Sequence, residues 1–148
     1  MKISLETAHT AKLFALLHSK CFSNAPPPYS ETSFLNMMLD HNYFFATHKS
    51  YAFGIVRFGP SEVELITIAV DPKKRRQGLG NKILTHLVAE IALKKKKAIF
   101  LEVNSENTIA LRMYKKNGFS QIGLRVGYFN KPDGSNCDAI IMKKTLKV

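Results

Sequence analysis

The stretch Val70-Asp71-Pro72-Lys73-Lys74-Arg75-Arg76-Gln77-Gly78-Leu79-Gly80 decides how the chain is read. It follows an apolar run from Glu62 to Val70, and Pro72 lacks the backbone donor that a strand needs to continue. Beyond it, Ile83, Leu84, Leu87, Val88 and Ile91 recur on one face of an amphipathic helix that starts near Gly80. A strand therefore turns into a helix through a segment bearing two glycines. Glycine lets the backbone approach a ligand, and the free N–H groups at a helix start can donate to phosphate oxygens. Lys73, Lys74, Arg75 and Arg76 add attraction for a polyanion. The segment reads as a pyrophosphate cradle; a glycine turn that only lets strand and helix pack tightly is the plainer alternative. Two nucleotide motifs fail in the letters: Gly78-Leu79-Gly80 lacks the third glycine of a dinucleotide fingerprint, and there is no GxxxxGK followed by Ser or Thr.

The flanking segments complete a mixed α/β domain. Upstream, Ala11, Leu13, Phe14, Leu16 and Leu17 recur at helical spacing from Ala8 to about Phe22, and the chain breaks at Ser23-Asn24-Ala25-Pro26-Pro27-Pro28. Ser30 caps a second short helix from Glu31 to Leu39. Tyr43 to Thr47, Tyr51 to Phe58 and Glu62 to Val70 read as an antiparallel meander. Downstream of the cradle, the helix runs into Lys94-Lys95-Lys96-Lys97, where cations in a last turn oppose the helix dipole; an RNA-binding patch is the rival reading. Ala98 to Val103 reads as a buried strand in which Glu102 is an anomaly, because a carboxylate is costly to bury without a partner or a function; a salt bridge or a strand-edge position is the plainer alternative. Ser105 or Asn107 can cap a helix through Lys116, which Asn117-Gly118 ends. Phe119 to Val126 and Asp138 to Lys144 are the closing strands. The predicted order is βααβββαβαββ, in one domain over residues 1–148.

Composition narrows the function classes. With 148 residues, 45% hydrophobic and 22% charged, the chain has the balance of a single foldable domain. Its 22 Lys and Arg against 11 Asp and Glu leave +11, favouring phosphates, phosphate-bearing cofactors, nucleic acid or lipid headgroups. Most of these cations are lysines, whereas base-specific reading leans on bidentate arginine, so no specific nucleic acid is expected. Cys21 and Cys137 lie far apart without CxxC or Cys/His spacing, which points to reduced thiols in a cytoplasmic protein. His9, His18, His41, His48 and His86 show no ligand spacing and read as surface or packing residues, so no metal is expected. The residues from Met1 to Glu6 lack the pattern of a signal peptide, and no apolar run approaches bilayer length, so no membrane partner is expected.

The pattern Arg75-x-x-Gly78-x-Gly80, after Ile68-Ala69-Val70-x-Pro72, resembles the Q/RxxGxG/A motif of the GNAT superfamily of acetyl-CoA-dependent N-acetyltransferases. Leu101-Glu102-Val103, Asn107, Ala110 to Tyr114 and Gly118-Phe119 are similar to the LEVxxxNxxAxxLYxxxGF run of the bacterial ribosomal-protein-alanine N-acetyltransferases, the RimI branch. Pro28-Tyr29-Ser30 and Asp138-Ala139-Ile140-Ile141-Met142 extend the likeness over most of the chain. Two departures fall on the acceptor side. Tyr29 stands where the branch commonly has Trp, and Gly127-Tyr128-Phe129 replaces an Asn-Tyr-Tyr run that follows the equivalent of Arg125.

The resemblance implies a GNAT-like fold with a central splayed mixed sheet, the gap lying between the strands that end at Val70 and Val103. It implies acetyl-CoA as co-substrate, with the backbone of Ile68, Ala69 and Val70 along the pantetheine arm. The amides of Arg76, Gln77, Gly78, Leu79, Gly80 and Asn81 would hold the pyrophosphate, with Arg75 in the motif and Asn107 at a coenzyme-contacting position that an N-cap role explains equally well. It also implies direct attack in a ternary complex by the N-terminal amine of an alanine on a ribosomal protein of the small subunit. Such a transfer needs an amine without its proton and a proton for the departing thiolate. An α-amine has a pKa of roughly 8, so a carboxylate suffices as base. Glu102 matches the family's base and Tyr114 its proton donor; composition alone assigns Tyr114 to the core. Glu62 and Glu64 are the competing bases, and alternation around Leu65, Ile66 and Ile68 does not settle their face. Rival readings are a GNAT enzyme for another protein N-terminus, a lysine or a small amine, and a noncatalytic RNA or ribosome-surface binder.

Overall fold

The computed structural model describes residues 3–22 and 26–147, so Met1-Lys2 and the Ser23-Asn24-Ala25 part of the predicted break lie outside the described residues. The chain forms α1 (Leu5–Cys21), α2 (Glu31–Leu39), β1 (Tyr43–His48), β2 (Ala52–Phe58), β3 (Glu62–Val70), α3 (Leu79–Leu93), β4 (Ala98–Asn104), α4 (Thr108–Lys116), β5 (Ser120–Asn130) and β6 (Asn136–Thr145). No strand precedes α1 among the described residues, which corrects the predicted order. Ser4 is extended only because it caps that helix, its hydroxyl accepting from the Thr7 amide. A second correction concerns the lysine run. The helix α3 ends at Leu93 with Lys94 as its C-cap, and Lys95, at φ 54°, turns the chain. Lys96 Nζ donates to the Pro60 carbonyl at 3.1 Å and the Lys97 amide to the Ser61 carbonyl at 2.9 Å. The run ties the α3–β4 turn to the β2–β3 turn; it is not a last helical turn.

The sheet has the order β1-β2-β3-β4-β6-β5. Strands β1 to β3 form the expected antiparallel meander. The crossover through α3 sets β4 parallel to β3, and β6 pairs antiparallel with both β4 and β5. The parallel seam is short: Glu62, Val63 and Glu64 pair with Ala98, Ile99 and Phe100. Beyond it β3 stays on β2 and β4 stays on β6, so the two central strands part towards their C-terminal ends.

A bulge adjoins the parting. Ile55 and Val56 of β2 pair with Thr67 and Leu65, which leaves Ile66 as an extra residue in β3. Before it, Val63 and Leu65 face the core built with α3 and α4; after it, Ile68 and Val70 do. Ile66 and Ala69 face the second core, built with α1 and α2. Glu62 and Glu64 alternate with Val63 and Leu65 and so lie on the α1/α2 side. Simple alternation could not place them because the bulge resets it.

Gly54 on β2 sets how closely α3 covers the sheet. A Cβ there would lie 2.6 Å from Ile83 Cγ2 and 2.8 Å from Leu87 Cδ1. Gly54→Ala is expected to lower the unfolding free energy by about 1–3 kcal/mol through overpacking. A lower urea midpoint at constant m value would show it; an unchanged midpoint would mean that the helix yields without cost.

Candidate active site

The start of α3 differs from the other helix starts. The helices α1, α2 and α4 are capped by side chains, Ser4 accepting from the Thr7 amide, Ser30 from the Ser33 amide and Asn107 from the Ala110 amide. The helix α3 begins at Gly78 without a side-chain cap. Its first ladder bond runs from the Lys82 amide to the Gly78 carbonyl at 3.0 Å, so the amides of Leu79, Gly80 and Asn81 have no partner in the helix. Gly78 sits at φ 76°, and a Cβ there would meet nothing within 4 Å. Arg76 is also left-handed, at φ 64°. Free amides, open space and the exposed Lys73, Arg75 and Arg76 together fit an anionic group such as a pyrophosphate.

The neighbouring residues support this turn in different ways. The Leu79 side chain is buried in the core, so that residue offers a ligand only its amide. Asn81 Oδ1 accepts from Asn117 Nδ2 at 2.8 Å, which fixes the start of α3 to the end of α4. Gln77 is exposed. Arg75 folds back: its Nε donates to the Val70 carbonyl at 3.3 Å, an oxygen that also accepts from Cys21 Sγ at 3.2 Å. Ile68 and Val70 pack partly buried against the α3 core, and Ala69 is buried on the other face. All three lie on the part of β3 that has left β4.

Glu102 and Tyr114 lie on opposite sides of the sheet. Leu101 and Val103 face the α3/α4 core, so Glu102 between them points to the α1/α2 side. Its side chain is 33% exposed, with Oε1 3.3 Å from Arg125 Nη2. The carboxylate is therefore not buried, and of the readings open for Glu102 the salt bridge is present: the pleat turns it to an open face, where a guanidinium from β5 meets it. Tyr114 is 7% exposed in the α3/α4 core, edge-on to Phe119 at 5.6 Å between centroids. Burial pushes its phenol well above the ordinary range. The hydroxyl makes no hydrogen bond among the described residues. No described side-chain N or O is both fully buried and unpartnered, so that hydroxyl keeps a small accessible surface. Asn107 uses its Oδ1 to cap α4, at 3.2 Å from the Ala110 amide.

On the α1/α2 side an open groove of about 430 Å³ is lined by Glu62, Glu64, Glu102, Arg57, Phe100 and Ile141 among others. Tyr29 is not among the lining residues, but the groove's Glu64 acts on it. Its phenol is raised above the ordinary value first by burial and then by Glu64, Tyr43 and Tyr128. Arg125 also lies over the Tyr128 ring, 5.1 Å from its centroid. In the sequence Arg125 is only the landmark for a departure, and no pattern in the chain announces its contact with Glu102, which depends on the β5–β6 register. Gly78→Val is expected to weaken acetyl-CoA binding at least tenfold, because a β-branched residue resists the left-handed turn that opens the cradle. Calorimetry would measure it, and full affinity would remove the cradle from the site.

Residues 11–119 match the Acetyltransferase (GNAT) family. Among curated proteins, the "[Ribosomal protein bS18]-alanine N-acetyltransferase" of Escherichia coli is 34% identical over 147 residues, covering 94% of this chain and 95% of that one. Its counterpart in Haemophilus ducreyi is 40% identical over 91 residues, 62% of this chain and 63% of its own. The crystal structure of the Escherichia coli ribosomal-protein-S18-alanine N-acetyltransferase superposes with a TM-score of 0.83 at 27% identity, covering 100% of this chain and 93% of that chain. The NatC complex bound to Gag peptide and CoA shares the fold, with a TM-score of 0.79 at 16% identity over 99% of this chain and 97% of that one. With an uncapped α3 start beside two parting strands, and with these matches, the chain belongs to the GNAT family of acetyltransferases, enzymes that use acetyl-CoA.

Proposed function

We propose that the protein acetylates the N-terminal amine of an alanine on a ribosomal protein of the small subunit, with Glu102 as base and Tyr114 as proton donor. The observation that carries the residue roles is their placement on opposite sides of the sheet, Glu102 on β4 where it has parted from β3 and Tyr114 on α4 in the core that covers the other face. The acceptor preference is supported by the activity named for the Escherichia coli relative, with which the likeness runs over 94% of this chain.

In this reading the amides of residues 76–81 bind the pyrophosphate of acetyl-CoA, and the free edge of Ile68 to Val70 runs beside its arm. When bound, the coenzyme supplies an activated acyl thioester. Glu102 faces the open groove, where the acceptor amine enters, and takes its proton directly or through one water. Arg125 holds the carboxylate in place from the adjoining hairpin. Tyr114, on the other face, gives its proton to the leaving thiolate. Its raised pKa keeps the phenol protonated beforehand, and the desolvation that raises it would also raise that of a thiolate formed beside it. The transfer is thus between two groups shifted in the same direction.

Glu102→Gln is expected to lower kcat by about 10²- to 10⁴-fold while leaving acetyl-CoA affinity unchanged. Wild-type turnover in that variant would move the base to Glu64. The acceptor is tested by mass spectrometry after incubation with acetyl-CoA, using an alanine-initiated peptide from ribosomal protein S18 and a lysine peptide with a blocked N-terminus. Acetylation of the first alone is expected; acetylation of the second alone would replace this acceptor with a lysine.

A further inference from the structure

Two polar side chains are buried among the described residues, His18 at 1% exposure and Thr67 at 8%, and they touch. His18 Nε2 lies 3.1 Å from Thr67 Oγ1, and on the other side of the ring Nδ1 accepts from the Tyr29 amide at 3.1 Å. A backbone amide can only donate, so Nδ1 carries the lone pair and the proton of the neutral ring sits on Nε2, donating to Thr67. Burial pushes the imidazole pKa down to about 4, which keeps the ring neutral near pH 7. Phe22, Tyr29 and Phe34 surround it, with centroids at 4.4, 5.1 and 5.4 Å.

The two partners of the ring belong to different halves of the site. Thr67 adjoins the bulge in β3 and directly precedes Ile68, the first residue beside the coenzyme arm. Tyr29 stands just before α2 and packs edge-on to Phe34 at 5.8 Å, near enough to the groove residue Glu64 for that carboxylate to raise its phenol. An apolar side chain could fill the same space against the same rings. It would leave the Tyr29 amide and the Thr67 hydroxyl without their partner, and that polar bridge is what distinguishes a histidine here from a packing residue.

We infer that His18 is a positioning residue that fastens the Tyr29 lip to the coenzyme-side strand and thereby sets affinity for the acceptor. The inference rests on reading the groove as the acceptor's entry. It makes His18 a joint between donor and acceptor halves, contacting neither substrate. Because the bond to Tyr29 carries the lip, an asparagine, whose Oδ1 can take the place of Nδ1, should restore most of what a leucine loses.

The test uses the full chain with acetyl-CoA and the alanine-initiated S18 peptide, or the blocked lysine peptide if that is what the wild type acetylates. His18→Leu is expected to raise KM for the peptide about tenfold, more than it changes kcat, with KM for acetyl-CoA unchanged and His18→Asn recovering most of the loss. Hydrogen exchange of the Tyr29 amide supplies a second readout, with protection expected in wild type and lost in His18→Leu. Unchanged peptide KM with an exposed Tyr29 amide would overturn the inference, as would an equal rise in both KM values. If the wild type acetylates neither peptide, the acceptor reading fails by itself, and a Tyr29 amide still protected in His18→Leu would separately sink the joint.

Discussion

The short parallel seam between β3 and β4 is the constraint on which the rest depends. A fully paired seam would bury the backbone groups of both strands in a continuous ladder and leave no entry between them. Because pairing stops at Glu64 and Phe100, the facing edges of the next residues are left for something other than each other. Backbone donors and acceptors away from water need partners, so the parting strands invite an extended molecule with its own polar groups. The bulge at Ile66 and the side-chain bonds on the Val70 carbonyl finish one rim of that opening, while β6 holds the other rim straight.

The same parting separates two electrostatic environments. At the end of β3, a lysine- and arginine-bearing turn leads into a helix whose first amides are free, a setting for anions. On the α1/α2 face, Glu62, Glu64 and Glu102 converge on one groove although acids are half as numerous as bases in the chain, 11 against 22. On the proposed assignment, a polyanionic donor and a cationic acceptor would be met from different sides of one sheet, and long-range attraction would sort them before any close contact.

Much of this was legible in the chain, and the limits have physical causes. The bounds of α2 and β3 follow from Ser30, Glu62 and Pro72 because capping and the missing proline donor are local effects. The glycine turn into α3 was legible for the same reason: glycine turns and helix starts act over a few residues. The side on which Glu62 and Glu64 lie was not, since one inserted residue, Ile66, shifts everything on one side of it relative to the other. The openness of Glu102 was not legible from Leu101 and Val103 around it, which are core residues, because it depends on which elements cover the opposite face. Its contact with Arg125, and the bridge through His18, join residues far apart in sequence, and no local pattern encodes them. Ahead of α1, the described residues hold an extended cap residue, Ser4, and no strand.

The ion pair between Glu102 and Arg125 has a consequence for turnover on the proposed assignment. The resting carboxylate already has a cation at its side, so an incoming ammonium finds a competitor of like sign in residence. Once acylated, the acceptor nitrogen is a neutral amide with no claim on that carboxylate. Arg125 stays at the carboxylate throughout on this assignment, so once Glu102 gives up the proton it has taken, its charge is again met by the guanidinium and none is left to hold the departing peptide.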